Sequence, residues 1–238
     1  MDIIKVDIKK SRFISDGGCG YLEPDNSFNA FLASCNRMYY GVKADIRFTK
    51  DRIIVTSRYR DLKKLTDKKI HISLTNYDEL KNIPLKQDIH SYIATLSEFL
   101  LVCKKYNKIA CIELHPPISF QEIDQLLNEL DKHEMIKKCK IIANDHKYLK
   151  YIRSIDLDIM LELKSKVFTD QIFYQAIQYH YDLTLPVNKL STELIELCHE
   201  NRLKIGTIDM NDPVLSLIIS DMGIDYMYTV VLEEYKPN

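Results

Sequence analysis

Val42-Lys43-Ala44-Asp45-Ile46-Arg47-Phe48, followed at once by Thr49-Lys50-Asp51, is the stretch on which the reading of this 238-residue chain turns. Residues 42–48 form an apolar-rich run closed by a polar turn, the pattern of a buried strand. Such a strand tolerates charge only where something pairs it, so Lys43 and Asp45 ask for partners. Runs of the same kind recur on both sides: Arg12–Ser15, Ile109–His115, Cys139–Ala143, Leu157–Leu163, Tyr181–Val187, Leu203–Met210 and Ile224–Val230. With Val42–Phe48 these make eight candidate strands. The segments between them read as helices, at Ser27–Arg37, Ser119–His133, His146–Ile152, Thr169–His180, Ser191–Asn201 and Pro213–Met222. Their starts carry fitting caps: Ser119 has Glu122 three residues on, and Asp212 precedes Pro213 at a first helical position. Strand and helix in alternation predict a parallel sheet, and eight strands predict a closed (β/α)8 barrel of the α/β class.

One connection breaks the rhythm. About 60 residues, Thr49 to Lys108, separate the second and third strands, far more than the few residues of an ordinary βα loop. This segment therefore carries structure of its own, a small inserted subdomain at about 52–107. Its expected parts are an extended piece at Arg52–Thr56, a basic turn through Arg58, Arg60, Lys63 and Lys64, a short helix near Asn76–Lys81 and a longer one at Thr95–Tyr106.

Composition narrows the function. Hydrophobic residues make up 46% and charged residues 28%, enough for a packed core, so residues 1–238 read as one barrel domain. Thirty-three Lys and Arg against 34 Asp and Glu leave a formal charge of −1, and no global field draws the chain to nucleic acid. Any anion site must be local. Apolar stretches such as Phe99–Cys103 fall far short of the roughly 20 residues of a membrane span, and residues 1–10 are too charged for a signal segment, which points to the cytoplasm. The six cysteines lack the close pairs that zinc sites favour and read as free thiols.

Glu23-Pro24-Asp25-Asn26-Ser27, ahead of an amphipathic helix, resembles the proline-acid-asparagine-threonine motif that follows the first strand of glycerophosphodiester phosphodiesterases. Lys43 to Asp51 is similar to that family's Glu-Leu-Asp-Val-Arg-Leu-Thr-Lys-Asp-Gly. The order continues through Ser73-Leu74-Thr75, Glu79-Leu80, Ala94 to Glu98, Ile112-Glu113-Leu114-His115, Asn211-Asp212-Pro213 and Met222 to Thr229. The resemblance implies a TIM barrel and accounts for the long second connection.

It also implies a site. The family uses two histidines as acid and base, while two glutamates and an aspartate hold a divalent cation that neutralises phosphate charge. Here the first histidine matches Asp16 and its following arginine Gly17, and the second histidine matches Arg58. Of the metal carboxylates Asp45 and Glu113 remain, but the first glutamate is Lys43. An ammonium opposes a divalent cation there, since like charges ~4 Å apart repel by about 4 kcal/mol at an effective dielectric near 20. A phosphate-contacting lysine of the family is His115.

The leading expectation is thus a barrel mouth that binds a phosphodiester or other phosphorylated small molecule through Lys43 and Arg58, with Asp45 and Glu113 beside them and no cofactor. An alternative is an active phosphoric diester hydrolase on a rebuilt site, with His115 or Asp16 as acid and base and either Lys43 or a relocated magnesium or calcium ion, on Asp45 and Glu113 if anywhere, stabilising the charge. A third is a regulatory module that binds no small molecule. Bland readings stand beside these: Asp16 as a turn residue, Lys43 in a structural bridge with Asp45 and Glu113, Arg58 and Arg60 as solvated loop residues, and His115 as a strand end before two prolines.

Overall fold

The computed structural model describes residues 3–86, 88 and 90–235. Among them run eleven strands, numbered here in chain order: β1 (Ile4–Val6), β2 (Arg12–Asp16), β3 (Gly41–Phe48), β4 (Ile54–Thr56), β5 (Ile109–Leu114), β6 (Cys139–Ala143), β7 (Met160–Lys164), β8 (Asp182–Leu185), β9 (Ile205–Thr207), β10 (Tyr226–Thr229) and β11 (Leu232–Glu234). The helices are α1 (Phe28–Cys35), α2 (Tyr77–Leu80), α3 (Leu96–Lys105), α4 (Phe120–Lys132), α5 (His146–Ile155), α6 (Asp170–Tyr179), α7 (Thr192–Glu200) and α8 (Pro213–Asp221).

Parallel pairing runs β2-β3-β5-β6-β7-β8-β9-β10, and β10 pairs back onto β2 with Tyr228 beside Ile14, so the sheet closes into the expected eight-stranded barrel. Successive side chains along a strand point to opposite faces, and the apolar residues sort accordingly. Phe13, Val42, Ala44, Ile112, Ile141, Leu161, Leu183 and Met227 join the large core under the helices. Ile14, Cys111, Ile142, Tyr226 and Tyr228 form a smaller cluster inside the barrel.

Beside this cluster the interior holds a tier of polar residues. Lys140 on β6 lies 3.0 Å from Glu162 and 2.9 Å from Asp182, with its ammonium 3.7 Å from the centre of the Tyr226 ring. Glu162 also accepts hydrogen bonds from Thr184 and Tyr228. Each group of this tier has its partner, which offsets the large desolvation cost of burying it.

The inserted segment has its own packing. β4 pairs antiparallel with β3, and Val55, Leu62, Ile72, Leu80, Leu85 and Ile93 form a second core apart from the barrel. Residues 87 and 89, within the predicted insertion, lie outside the described residues. α3 returns the chain to the barrel behind a capping box in which Thr95 and Glu98 satisfy each other's backbone amides. Ser119 and Glu122 do the same for α4, and Asp212 caps α8 ahead of Pro213.

Two elements have no counterpart in the sequence reading. β1 and β11 pair in parallel as a separate ribbon, with Ile4 beside Leu232. Strand starts also differ from expectation: β7 begins at Met160, because the Asp156 side chain accepts from the amides of Asp158 and Ile159 and holds 156–159 in a turn. No helix among the described residues is long and apolar enough to cross a membrane.

Candidate functional site

The C-terminal ends of the strands bring together the predicted residues. Asp16 is the last residue of β2, Asp45 lies in the second half of β3, Glu113 is the penultimate residue of β5, and His115 follows that strand directly. Arg58 sits two residues beyond β4, so the inserted segment delivers it to the rim.

Lys43 occupies the centre. Its ammonium lies 2.7 Å from Asp16, 3.2 Å from Asp45 and 2.8 Å from Glu113, and its side chain is 4% exposed. Burial opposes the charge, but the three carboxylates outweigh it and hold the lysine pKa well above its ordinary value. The same attraction works in reverse. Burial pushes the Asp45 carboxyl up, while Lys43, the His115 hydrogen bond and Arg58 overcome that and keep it well below the usual range. Glu113 is likewise lowered, against its burial, by Lys43 and Lys164.

Arg58 closes the cluster from outside. One guanidinium nitrogen lies 3.0 Å from the same Asp16 oxygen that binds Lys43, and its Nε lies 3.3 Å from Asp45. His115 Nε2 stands 2.6 Å from Asp45 Oδ1, the oxygen that also faces Lys43. All six predicted residues, Asp16, Lys43, Asp45, Arg58, Glu113 and His115, therefore meet in one network.

Three partners were not singled out from the sequence. Asn26 accepts from the Asp45 amide at 2.7 Å and donates to the Asp45 carboxylate at 3.0 Å, fixing that side chain from both ends. It does so from a left-handed backbone (φ 59°), a conformation asparagine tolerates better than most residues. Lys164, the last residue of β7, reaches past β6 and donates to both Glu113 oxygens at 2.8 and 3.0 Å. A lysine at the C-terminal end of a barrel strand is itself a site signal, and this one could have been read from the sequence. Asp25 faces Arg58 at 3.8 Å, and burial, only partly offset by that arginine, pushes its carboxyl pKa up to about 6. Gly17 (φ 70°) turns the chain directly after Asp16, and a Cβ there would collide with the Asp25 carboxylate.

No protein-family model matches this chain, and no curated protein matches it either. Solved structures do. A phosphodiesterase from Oleispira antarctica, in complex with the product sn-glycerol-3-phosphate, superposes with a TM-score of 0.84 at 17% identity, over 93% of this chain and 94% of that one. A glycerophosphodiester phosphodiesterase from Thermotoga maritima gives 0.75 at 21% identity over 93% and 95%. A third, from Parabacteroides distasonis, gives 0.79 at 18% over 95% and 94%. The fold of this chain is that of the glycerophosphodiester phosphodiesterases, as its motifs suggested.

Proposed function

We propose that this protein binds a phosphodiester or other phosphorylated small molecule at its barrel mouth without the metal-dependent hydrolysis of the enzymes whose fold it shares. The observation that carries this reading is the Lys43 ammonium, held by Asp16, Asp45 and Glu113 at hydrogen-bonding distance. Asp45, Glu113 and His115 present ligand atoms within 4.8 Å of one another, a spacing that suits a divalent ion. The ammonium fills the space they enclose, and its pKa keeps it charged at neutral pH. A charged lysine and a divalent cation repel at such range, so the residues present do not fit the metal. The reach of the cations divides the labour. Lys43 is buried and acts as a fixed internal counter-ion, while the side chains of Arg58, 37% exposed, and Lys164, 25% exposed, meet an incoming phosphate.

The test is turnover and binding on one preparation freed of host phosphodiesterase. A panel of glycerophosphodiesters is incubated with and without magnesium, calcium or manganese, and the same esters are scored for thermal stabilisation. Stabilisation without turnover supports the proposal. Metal-stimulated hydrolysis abolishes it.

A second reading, an active diester hydrolase on a rebuilt site, is favoured by His115 against Asp45 and by Asp25 titrating at about 6. Two such groups at a barrel mouth have the character of an acid and a base. Asp16 holds Lys43 and Arg58 on a single oxygen, which leaves Asp25 the freer carboxyl for that role. Metal-independent turnover lost in His115→Ala would select this reading.

A further inference from the structure

Beside the mouth, a cavity of about 160 Å³ lies between the barrel and the inserted segment. Arg47 and His115 line it from the barrel, Arg60 and Ser73 from the insertion, and Phe48 and Ile72 add apolar wall. Arg47 donates to the carbonyls of His115 at 3.3 Å and Arg58 at 2.8 Å, and Arg60 donates to the carbonyl of Pro116. Neither guanidinium pairs with a carboxylate among the described residues, in contrast to Lys43, Arg58 and Lys164. The Nε of Arg47 is buried with no hydrogen-bond partner.

The one carboxylate on the wall is already engaged. Glu122 accepts from Arg52 at 2.8 Å on one oxygen and from the Ser119 amide at 2.7 Å on the other. Burial and repulsion from the neighbouring Arg60 both lower the Arg47 pKa, with Asp45 opposing them, and the two guanidinium-bearing residues line one cavity without a salt bridge between them and any carboxylate among the described residues. An oxyanion placed there would relieve that repulsion and accept charge-assisted hydrogen bonds from both. A cavity of ~150 Å³ admits a benzene-sized group in other proteins, so a single phosphoryl or carboxylate fits.

We propose that this cavity is an oxyanion subsite for the headgroup of the ligand, which makes the preferred class a phosphodiester whose alcohol carries a second negative charge. The inference rests on the reading of the mouth as a phosphodiester site. His115 joins the two, with Nε2 on Asp45 at the mouth and the residue itself on the cavity wall, where its carbonyl accepts from Arg47. One ligand can therefore place its diester against Arg58 and its headgroup anion against Arg47 and Arg60. A trimethylammonium headgroup would meet two cations that have no carboxylate partner in a salt bridge among the described residues and be disfavoured.

Calorimetric titration at low salt with four glycerophosphodiesters tests this: esters of choline, of glycerol, of glycerol phosphate and of glycolic acid. The expected result is that the phosphoryl and carboxylate esters bind about tenfold or more tighter than the glycerol ester, with the choline ester weakest. Arg60→Gln, at an exposed position, should erase the preference and leave the glycerol ester within about twofold, whereas Arg58→Gln weakens all four. Preference for the phosphoryl ester alone, or for both anions, separates the two headgroup chemistries within the proposal. Equal affinity for the glycerol and anionic esters overturns the headgroup subsite and leaves the mouth reading standing. Anionic esters that bind through Arg60 but ignore Arg58 overturn the mouth reading, and no binding of any ester overturns both.

Discussion

Lys43 decides what the mouth can do, and its removal has a signed consequence. In Lys43→Ala, Asp16, Asp45 and Glu113 are left facing one another without their shared cation, and the cost is expected at about 3–5 kcal/mol of stability. The vacated space then suits a divalent ion on Asp45, Glu113 and His115. Calcium should raise the melting temperature of the variant and leave the wild type unchanged, which a thermal melt with and without the ion reads directly. Asp25 gives a second residue-scale expectation. Its folded pKa of about 6 exceeds the unfolded value, so the folded state binds its proton more tightly and stability falls as pH rises between those two values. Asp25→Asn removes that loss: the variant should match the wild type near pH 4 and exceed it by about 2 kcal/mol near pH 8, measured by urea unfolding at both. For Asp45 and Glu113 the sign is opposite. Their lowered pKa values stabilise the fold above the ordinary carboxylate range, and that contribution is lost on acidification.

The elements were legible where local chemistry decides them. β6, Cys139–Ala143, has the predicted bounds because its run is buried throughout, and its one charged residue, Lys140, is paired. The helices α3, α4 and α8 start where Thr95, Ser119 and Asp212 accept from their first-turn amides. Thr95→Ala should cost about 1 kcal/mol through the lost capping box, read as a shift of the urea midpoint at constant slope. β1 and β11 were not legible, because three-residue strands pair across the whole chain and nothing local marks them. At the site, Asp45, Glu113 and Arg58 could be aligned residue by residue with the glycerophosphodiester phosphodiesterase motifs. Lys164 carried a strand-end signal, but its partner Glu113 two strands away, like the approach of Asp25 to Arg58 on the insertion, is a juxtaposition no sequence window contains. Arg47 escaped for another reason: its lack of a carboxylate is a property of its surroundings.

Across the whole molecule the barrel interior holds two tiers of buried charge, the mouth cluster and the lower group around Lys140. Each survives burial only because it is matched. Lys140→Met alone should destabilise by about 3–5 kcal/mol, since Glu162 and Asp182 lose their cation, while Lys140→Met with Glu162→Gln should recover a large part of that loss. Comparable losses in the single and double variants would show that the lysine acts by packing. The inserted segment, by contrast, stands on a core of its own built from Val55, Leu62, Ile72, Leu80, Leu85 and Ile93. A core so small opens at a lower free energy than the barrel beneath it, and its amides should exchange with deuterium earlier than those of β5 to β8. Arg58 and Arg60 ride on that segment. Each transient opening would withdraw both guanidiniums from the rim and leave the carboxylates of the mouth to solvent, so occupancy of the mouth and protection of residues 54–93 should rise and fall together.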